Sequence, residues 1–357
     1  MTSKGFFILT DISGYTEFLT ESELEHAHQA LQTLFDVQLK SIKFPLKISG
    51  FRGDAIFMYT PEMGIVNRQS LIETLENLYN IFTDTAILMQ ANTSCRCKAC
   101  ANIKKLDLKM CVHYGEYLIQ TLGDREELLG ADVIVPHRML KNHVIEQTGI
   151  NSYALFSEAA AQALDLEGLC TPLTQHKETY EHLGEVNMLV HDLRGAWERE
   201  KDKHRQFVAA EEAWVKYEVE LPYPAPLIWQ YLTIPSLEAG FLQYDYAERI
   251  DDLGGRAREN TKLHCAQGEM HIYSKVLDWK PFEYYTMEQS VLGLNYVSTR
   301  RLTPLENGTR VEIYLGLPKE NPPTETRDFV QAAMDSGYAN LGPYIEQDIA
   351  SGKSRME

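Results

Sequence analysis

At 357 residues the chain is longer than a single hydrophobic core usually grows, so two domains are expected. Hydrophobic residues make up 44% and charged residues 24%, values that fit a folded globular protein and argue against wholesale disorder. The 51 acidic residues outnumber the 34 basic residues and give a formal charge of −17, which repels nucleic-acid phosphates and anionic lipid. We therefore expect no nucleic-acid partner and no membrane partner.

The N-terminal apolar run Phe6–Leu9 is too short for the core of a signal peptide. No stretch reaches the ~18 apolar residues that a membrane-spanning helix needs. A cytoplasmic location is expected. Three of the six cysteines lie close together in the chain, which is not the pattern of a secreted disulfide framework and favours reduced thiols or a bound metal.

Hydrophobic periodicity predicts an α+β first half in which strands and helices alternate. A helix is predicted from Gly14 to about Lys40, and a hairpin is predicted with its turn at Tyr114-Gly115. The other predicted elements are strands at Gly5–Asp11, Leu46–Gly50, Ala55–Tyr59 and Tyr153–Phe156, a helix at Val66–Gln90, a helix from Gly130 to about His143, and an alanine-rich helix capped by Ser157.

The densely charged residues 193–213 contain good helix formers and no proline, so they are predicted to form a solvated helical linker. This places one domain at residues 1–192 and a second at 214–357. The second is predicted to contain a strand, a helix carrying Trp229, a run of antiparallel strands with a turn at Asn307-Gly308, and one long helix over Thr324–Ile349.

Two short motifs near the N-terminus carry a family resemblance. FILTDISGYTEF, with Asp11, and FRGDAIF, with Asp54, resemble the two aspartate motifs of class III nucleotidyl cyclases in order, separation and intervening helix. The resemblance implies a ferredoxin-like α/β sandwich over about residues 5–190. It also implies that both aspartates, with the carbonyl of Ile12, bind Mg²⁺ or Mn²⁺ for the cyclisation of a nucleoside triphosphate. The alternative is that Asp11 caps a helix and Asp54 serves only its turn.

A third stretch, GADVIVPHR, matches the family motif Gly-x-x-Val-Asn-x-x-x-Arg at Gly130, Val133 and Arg138 but has Ile134 in place of the asparagine. In the family this asparagine orients the ribose and the arginine braces the phosphate, both across a dimer interface. The resemblance therefore assigns a catalytic role to Arg138 and implies a homodimer, and the ribose contact is lost.

Two positions that select the base in adenylyl-type members also differ. Gly50 stands where those members have a lysine, and Glu127 stands where they have an aspartate. Adenine is therefore not supported, and guanine or cytosine could donate to Glu127. Gly50, Gly53 and Glu127 are the expected substrate-binding positions. The whole first half also resembles a bacterial family of unknown function that has the same cysteine loop and the same pair His137-Arg138.

The cysteine loop offers three soft ligands, Cys95, Cys97 and Cys100, and Cys111 or His113 could complete a tetrahedral Zn²⁺ site. A reduced surface loop is the alternative, because the CxCxxC spacing is less specific than two CxxC knuckles.

The order of elements after Trp214 resembles the START-like or polyketide-cyclase-like (SRPBCC) superfamily, in which a helix-grip antiparallel sheet encloses a small hydrophobic ligand. The resemblance implies a binding pocket, and its expected lining residues are Trp229, Tyr246, His264, Tyr273 and Tyr285.

These patterns favour a metal-dependent nucleotidyl cyclase-like signalling protein with a C-terminal ligand-binding sensor domain. The first alternative is a catalytically degenerate cyclase fold that binds a nucleotide or acts as a scaffold. The second is an enzymatic C-terminal pocket, for which no catalytic residue pattern is present.

Overall fold

The computed structural model describes residues 2–61, 67–92, 95, 97–123, 125–169, 172–180, 184–251 and 255–351. The chain divides into two compact units, Met1–Met63 with Leu71–Lys203 and Gly64–Ser70 with His204–Glu357. The sheet of each unit is largely antiparallel, and the predicted α+β class is confirmed. None of the helices in these residue ranges is long and apolar enough to cross a membrane.

The first unit contains an eight-stranded sheet in the order β2-β3-β1-β4-β6-β8-β7, with β5 paired to β4 outside this path. Its strands are β1 Ser3–Ser13, β2 Lys47–Arg52, β3 Ala55–Tyr59, β4 Asp107–Leu122, β5 Arg125–Leu129, β6 Tyr153–Ser157, β7 Thr174–Tyr180 and β8 Gly184–Asp192. Its helices are α1 Tyr15–Glu21, α2 Leu24–Ser41, α3 Arg68–Asn92, α4 Lys98–Asn102, α5 Ala131–Met139, α6 Val144–Thr148, α7 Glu158–Leu164 and α8 Leu193–Lys201, and a 3₁₀ turn covers Ile103–Lys105.

Strand β1 lies at the centre of this sheet because its apolar run is buried on both faces. The side chains of Phe6–Leu9 are at most 3% exposed. The strand pairs antiparallel with β3 on one side and with β4 on the other. Asp11 lies near the C-terminal end of β1, so its position is set by a strand that is buried along most of its length.

The predicted hairpin at Tyr114-Gly115 is wrong, because β4 continues straight through these residues and pairs with β1 from Asp107 to Tyr117. Gly115 is needed for a close approach, since the Asp132 side chain occupies the space that a Cβ atom would fill. The Asp132 carboxylate accepts a hydrogen bond from the Glu116 backbone N–H at 2.7 Å. The turn lies further along, between β4 and the unpredicted strand β5.

Three other parts of the first half differ from the sequence-based expectation. The helix expected from Gly14 to Lys40 is divided into α1 and α2, and strands β7 and β8 were not predicted. The expected helical linker is helical only in α8, where Leu193 and Trp197 are buried. The Trp197 indole N–H donates to Asp84 Oδ1 at 2.9 Å, so α8 packs as part of the first unit.

The second unit contains a seven-stranded antiparallel sheet in the order β10-β11-β12-β13-β14-β15-β9. Its strands are β9 Val215–Leu221, β10 Tyr246–Arg249, β11 Lys262–Gln267, β12 Met270–Lys280, β13 Tyr284–Val291, β14 Leu294–Leu305 and β15 Gly308–Leu315. Its further helices are α9 Ala225–Thr233, α10 Pro235–Leu242, α11 Thr324–Tyr338 and α12 Leu341–Ser351. The turn before Gly308 joins β14 to β15 as predicted, and the long C-terminal helix is present with a break at Ala339–Asn340.

Candidate functional site

Of the two predicted metal ligands, one lies on a strand of the first sheet and the other lies in a turn beside it. Asp11 is in β1, and Asp54 lies in the β2–β3 turn, where Gly53 adopts a positive φ of 66°. Strands β1 and β3 are directly paired, with Thr10 opposite Ile56. The turn therefore presents Asp54 beside the end of β1 that carries Asp11.

The carboxylates of Asp11 and Asp54 interact electrostatically. Burial raises the pKa of Asp54, and the negative charge of Asp11 raises it further. Backbone N–H groups, among them that of Ile12, oppose this rise by donating to the Asp54 carboxylate, and the charge of Lys109 also opposes it. The net rise means that the negative charge at this position is incompletely balanced by the protein.

Lys109 is a partner of Asp11 that the motif analysis missed. Its position on β4 is directly opposite Asp11 in the strand register, and its Nζ lies 3.2 Å from Asp11 Oδ2. The two side chains are 21% and 18% exposed, so the pair is largely shielded from solvent. One lysine facing two carboxylates leaves a negative site of the kind that binds a divalent cation through oxygen ligands. The Ile12 carbonyl remains a predicted third ligand.

A cavity of about 500 Å³ in the first unit contains two of the predicted substrate-binding positions, Gly50 and Glu127. The residues that line it are Ser49, Gly50, Phe51, Arg52, Phe57, Glu126, Glu127, Leu128, Val133 and His137. Gly53 is not among them and lies in the turn beside Asp54. The cavity is assembled from β2, β3, β5 and α5.

Arg52 and His137 also line this cavity, and neither was predicted from the sequence. A Cβ atom on Gly50 would lie 3.5 Å from Arg52 Nη1, so the guanidinium stands where a longer side chain at position 50 would extend. Burial lowers the pKa of His137, and the nearby charge of Arg52 lowers it further. The cavity therefore offers a cationic donor, a neutral imidazole and the carboxylates of Glu126 and Glu127.

The third motif forms the start and body of α5. Val133 is buried in a cluster with Phe7 and Phe57, so this position is structural. Ile134 is 53% exposed at the position of the missing asparagine, and Arg138 is partly buried near the end of the helix. The catalytic role of Arg138 remains a prediction.

The structure brings Cys95, Cys97 and Cys100 together, with His26 as their fourth neighbour. The predicted fourth ligands are wrong. Cys111 is fully buried in a core cluster of β4, where burial raises the pKa of its thiol. His113 contacts Ser157 Oγ at 2.7 Å and Asp132 at 3.6 Å instead.

The five predicted pocket residues of the second unit do not line one cavity. Trp229 and Tyr285 are 1% and 2% exposed and pack with Trp279 in the core. Tyr246 and Tyr273 are 40% and 51% exposed on the outer face of the sheet, where Tyr273 stacks on His264 and Tyr246 contacts it edge to face. The predicted single pocket is therefore wrong for these residues as a set.

The interior of the second unit instead contains a polar group that was not predicted. Arg300 and Glu238 are 5% and 6% exposed, and the guanidinium Nη2 lies 3.7 Å from the Glu238 carboxylate. Arg300 also donates to Tyr338 Oη at 3.0 Å and to Ser298 Oγ at 3.1 Å. A period-two pattern along β14 gives no signal for a buried charge, so the sequence alone did not identify it.

Comparison with known proteins gives the following matches. A family model described as a protein of unknown function, DUF2652, matches residues 31–148. The uncharacterized protein Rv2561/Rv2562 of Mycobacterium tuberculosis is 31% identical over 150 residues, covering 42% of this chain and 66% of that protein.

Solved structures of adenylyl and guanylyl cyclases match about half of the chain. The guanylyl cyclase Cya2 covers 53% of this chain and 92% of its own, with 12% identity and a TM-score of 0.42. DynU16, from the dynemicin biosynthetic locus, covers 37% of this chain and 46% of its own, with 17% identity and a TM-score of 0.32.

Proposed function

We propose that the first unit binds a nucleoside triphosphate together with Mg²⁺ or Mn²⁺ and converts it to a cyclic nucleotide and pyrophosphate as a homodimer. The observation that carries this proposal is the carboxylate pair Asp11 and Asp54. The pKa of Asp54 is raised by burial and by Asp11 even though Lys109 is close by. A bound divalent cation would supply the missing positive charge, and the donor set of carboxylate oxygens fits these two ions.

The chain's own residues have distinct tasks in this proposal. Asp11 and Asp54 hold the cation, and the Ile12 N–H orients the Asp54 carboxylate. When bound, the cation stabilises charge on the oxygens that enter and leave the α-phosphorus as the ribose 3′-hydroxyl displaces pyrophosphate. Arg138 braces the phosphates from the second subunit, where its permanent charge stabilises the charge that develops on them.

The base is proposed to enter the cavity that Arg52 and Glu127 line. A guanidinium can donate two parallel hydrogen bonds to the O6 and N7 edge of guanine, and a carboxylate accepts from N1–H and N2–H. Arg52 and Glu127 therefore favour GTP among the four triphosphates.

Exposed apolar side chains around this cavity support the homodimer. They occur on the adjoining elements β2, β4, β5 and α5, and Leu118 and Leu129 are direct cross-strand partners. The six are Ile48, Phe51, Leu118, Ile119, Leu129 and Ile134, which are 39–53% exposed. Exposed apolar side chains grouped on adjoining elements are typical of an interaction site, and a second copy of the chain would cover those that share a face.

The test is incubation of purified protein with each triphosphate and Mn²⁺, followed by mass-spectrometric detection of cyclic nucleotide and pyrophosphate. Asp11→Asn with Asp54→Asn should abolish product. Asp36→Asn, at an exposed position of α2, is the matched control and should leave it unchanged. Equal product from both variants, or no product from any triphosphate, would contradict the cyclase assignment.

The runner-up function is nucleotide binding without catalysis. Two observations favour it: Lys109 already neutralises Asp11, and an exposed Ile134 replaces the ribose-orienting asparagine. In that case Mn²⁺ with a triphosphate would still raise the melting temperature through Asp11 and Asp54, and no cyclic product would form.

For the second unit we propose binding of a small hydrophobic ligand with a polar end. The buried Arg300 supports this, because its guanidinium lies among apolar and tyrosine side chains, and a ligand oxygen would pair with it beside Glu238, Tyr338 and Ser298. Native mass spectrometry of the full chain with fatty acids and aromatic acids should find one ligand per chain. Arg300→Met should weaken the binding of the acids more than the binding of their neutral amides. Equal weakening would contradict a role for the guanidinium.

A further inference from the structure

We propose that His26, Cys95, Cys97 and Cys100 form a closed, tetrahedral Zn²⁺ site. One donor atom from each of the four side chains lies within 4.8 Å of all the others. The three sulfur atoms lie 3.1, 3.6 and 4.0 Å from His26 Nδ1, in the order Cys97, Cys95 and Cys100.

These separations match a tetrahedral centre. With Zn–S bonds of about 2.3 Å and a Zn–N bond of about 2.0 Å, each sulfur lies about 3.5 Å from the nitrogen. The ring nitrogen carries one proton or one lone pair, so a linear hydrogen bond reaches only one of the three sulfur atoms at a time. A common metal ion explains why all three sulfurs converge on one nitrogen.

The local backbone fixes the positions of the proposed ligands. Cys97 is the N-cap of α4, and its Sγ accepts a hydrogen bond from the Cys100 N–H at 3.4 Å. This N–H···S contact fixes the position of the Cys97 sulfur at the start of α4. Glu23 Oε2 accepts from the Ala99 N–H at 3.1 Å, which fixes α4 against the start of α2, the helix that carries His26. Glu23 is not a proposed ligand, and its contact keeps the histidine close to the cysteines.

The donor set selects the metal and its role. Three thiolates and an imidazole in a tetrahedron suit Zn²⁺, and a hard oxygen-seeking ion such as Mg²⁺ is not suited. Four protein ligands leave no open position for water or substrate, so the ion is structural. It would join α2, which follows Asp11 in the chain, to α4, which precedes Lys109. The zinc ion would thus hold α2 and α4 together, and these helices lie between Asp11 and Lys109 in the chain.

The first test is elemental analysis of the full chain purified without chelator, in which we expect about one zinc per chain. His26→Ala and Cys97→Ser should each lose most of it. His28→Ala and Cys265→Ala are matched controls, since His28 lies on the same helix outside the cluster and Cys265 is buried in the second unit. Both controls should keep the wild-type zinc content.

The second test replaces Zn²⁺ with Co²⁺ in the wild type and in His26→Ala. The wild type should show the ligand-field bands of tetrahedral Co²⁺ and intense thiolate-to-cobalt charge transfer, and His26→Ala should lose the tetrahedral pattern. Chelation should speed hydrogen exchange in α2 and α4 and leave β12–β14 unchanged. Absence of zinc with no Co²⁺ uptake, a disulfide among the three cysteines in freshly purified protein, or equal zinc in His26→Ala and His28→Ala would overturn the site.

Discussion

Replacement of Arg300 by methionine should destabilise the second unit by about 3–5 kcal/mol at pH 7, because it leaves Glu238 as an unpaired buried acid. Both side chains are at least 94% shielded, with exposures of 5% and 6%. Burial raises the pKa of Glu238, and the charge of Arg300 is the influence that opposes this rise. Methionine keeps much of the side-chain volume and removes the charge.

The magnitude follows from what Glu238 can do without its partner. It can escape the cost of a buried charge by taking up a proton. From the ordinary carboxyl pKa of 4.5, protonation at pH 7 costs about 3.4 kcal/mol, at ~1.36 kcal/mol per pH unit. The lost hydrogen bonds to Tyr338 and Ser298 add about 1 kcal/mol each, with partial relief from the apolar methionine.

The pH dependence has a definite sign. In the variant the folded-state pKa of Glu238 is raised above the unfolded value, so stability is lost as the pH rises above that value. The stability of the variant should therefore rise by up to about 1.4 kcal/mol for each unit that the pH is lowered from 7 towards 4.5, more steeply than that of the wild type, in which Arg300 opposes the rise of this pKa. Combining Arg300→Met with Glu238→Gln should recover most of the loss.

Hydrogen exchange with mass-spectrometric detection in β13 and β14 measures this stability in the full chain. Arg301→Met is the matched control, since Arg301 is the next residue of the same strand and is exposed. A penalty equal to that of the control, or one that does not change with pH, would refute the reasoning.

Three further predictions concern the first unit. Asp54→Asn should raise the melting temperature of the cation-free protein at neutral pH, because the raised pKa means that ionised Asp54 opposes folding. This gain should vanish at acidic pH. A lower melting temperature at neutral pH would contradict the prediction. Gly115→Ala should lower the free energy of urea unfolding by about 1–3 kcal/mol, since the new Cβ would clash with Asp132, and an unchanged midpoint would contradict that account of the glycine. Leu129→Arg should convert the proposed dimer to a monomer in sedimentation velocity, whereas a monomeric wild type would contradict the dimer.

The sequence identified features that depend on a few neighbouring residues. Asp11 and Asp54 lie in short motifs at a strand end and a turn, so local pattern was sufficient to find them. Lys109 was missed because its role depends on the β1–β4 register, in which it stands opposite Asp11. Register between strands about a hundred residues apart is a tertiary property.

His26, the fourth neighbour of the three cysteines, was also missed because its position depends on tertiary packing. Cys111 and His113 were favoured because they are close in sequence, yet β4 points Cys111 into the core. His26 lies on another helix, 69 residues before Cys95, and is brought there by the packing of α2 on α4. No periodicity in the chain carries that information.

The pocket prediction failed because residue type alone does not show which face of a strand points inward, as the exposed Tyr273 and the buried Tyr285 show. Trp279, which was not a predicted pocket residue, shows how an irregular strand adds to this difficulty. Strict alternation along β12 would place Trp279 on the same face as the exposed Tyr273. A β-bulge between Val276 and Asp278 shifts the register and turns Trp279 into the core. A bulge leaves no clear mark in the residue types, so the division between inward and outward aromatic residues required the structure.

Asp11 and Asp54 are proposed to bind a divalent cation together with a triphosphate. The most direct test is anomalous diffraction from crystals grown with Mn²⁺ and a non-cyclisable GTP analogue. The account predicts an anomalous peak between the two carboxylates, within about 2.0–2.2 Å of their oxygens, with the base beside Arg52 and Glu127. A crystal that holds the analogue with no manganese at the pair, and with Lys109 still in contact with Asp11, would contradict it.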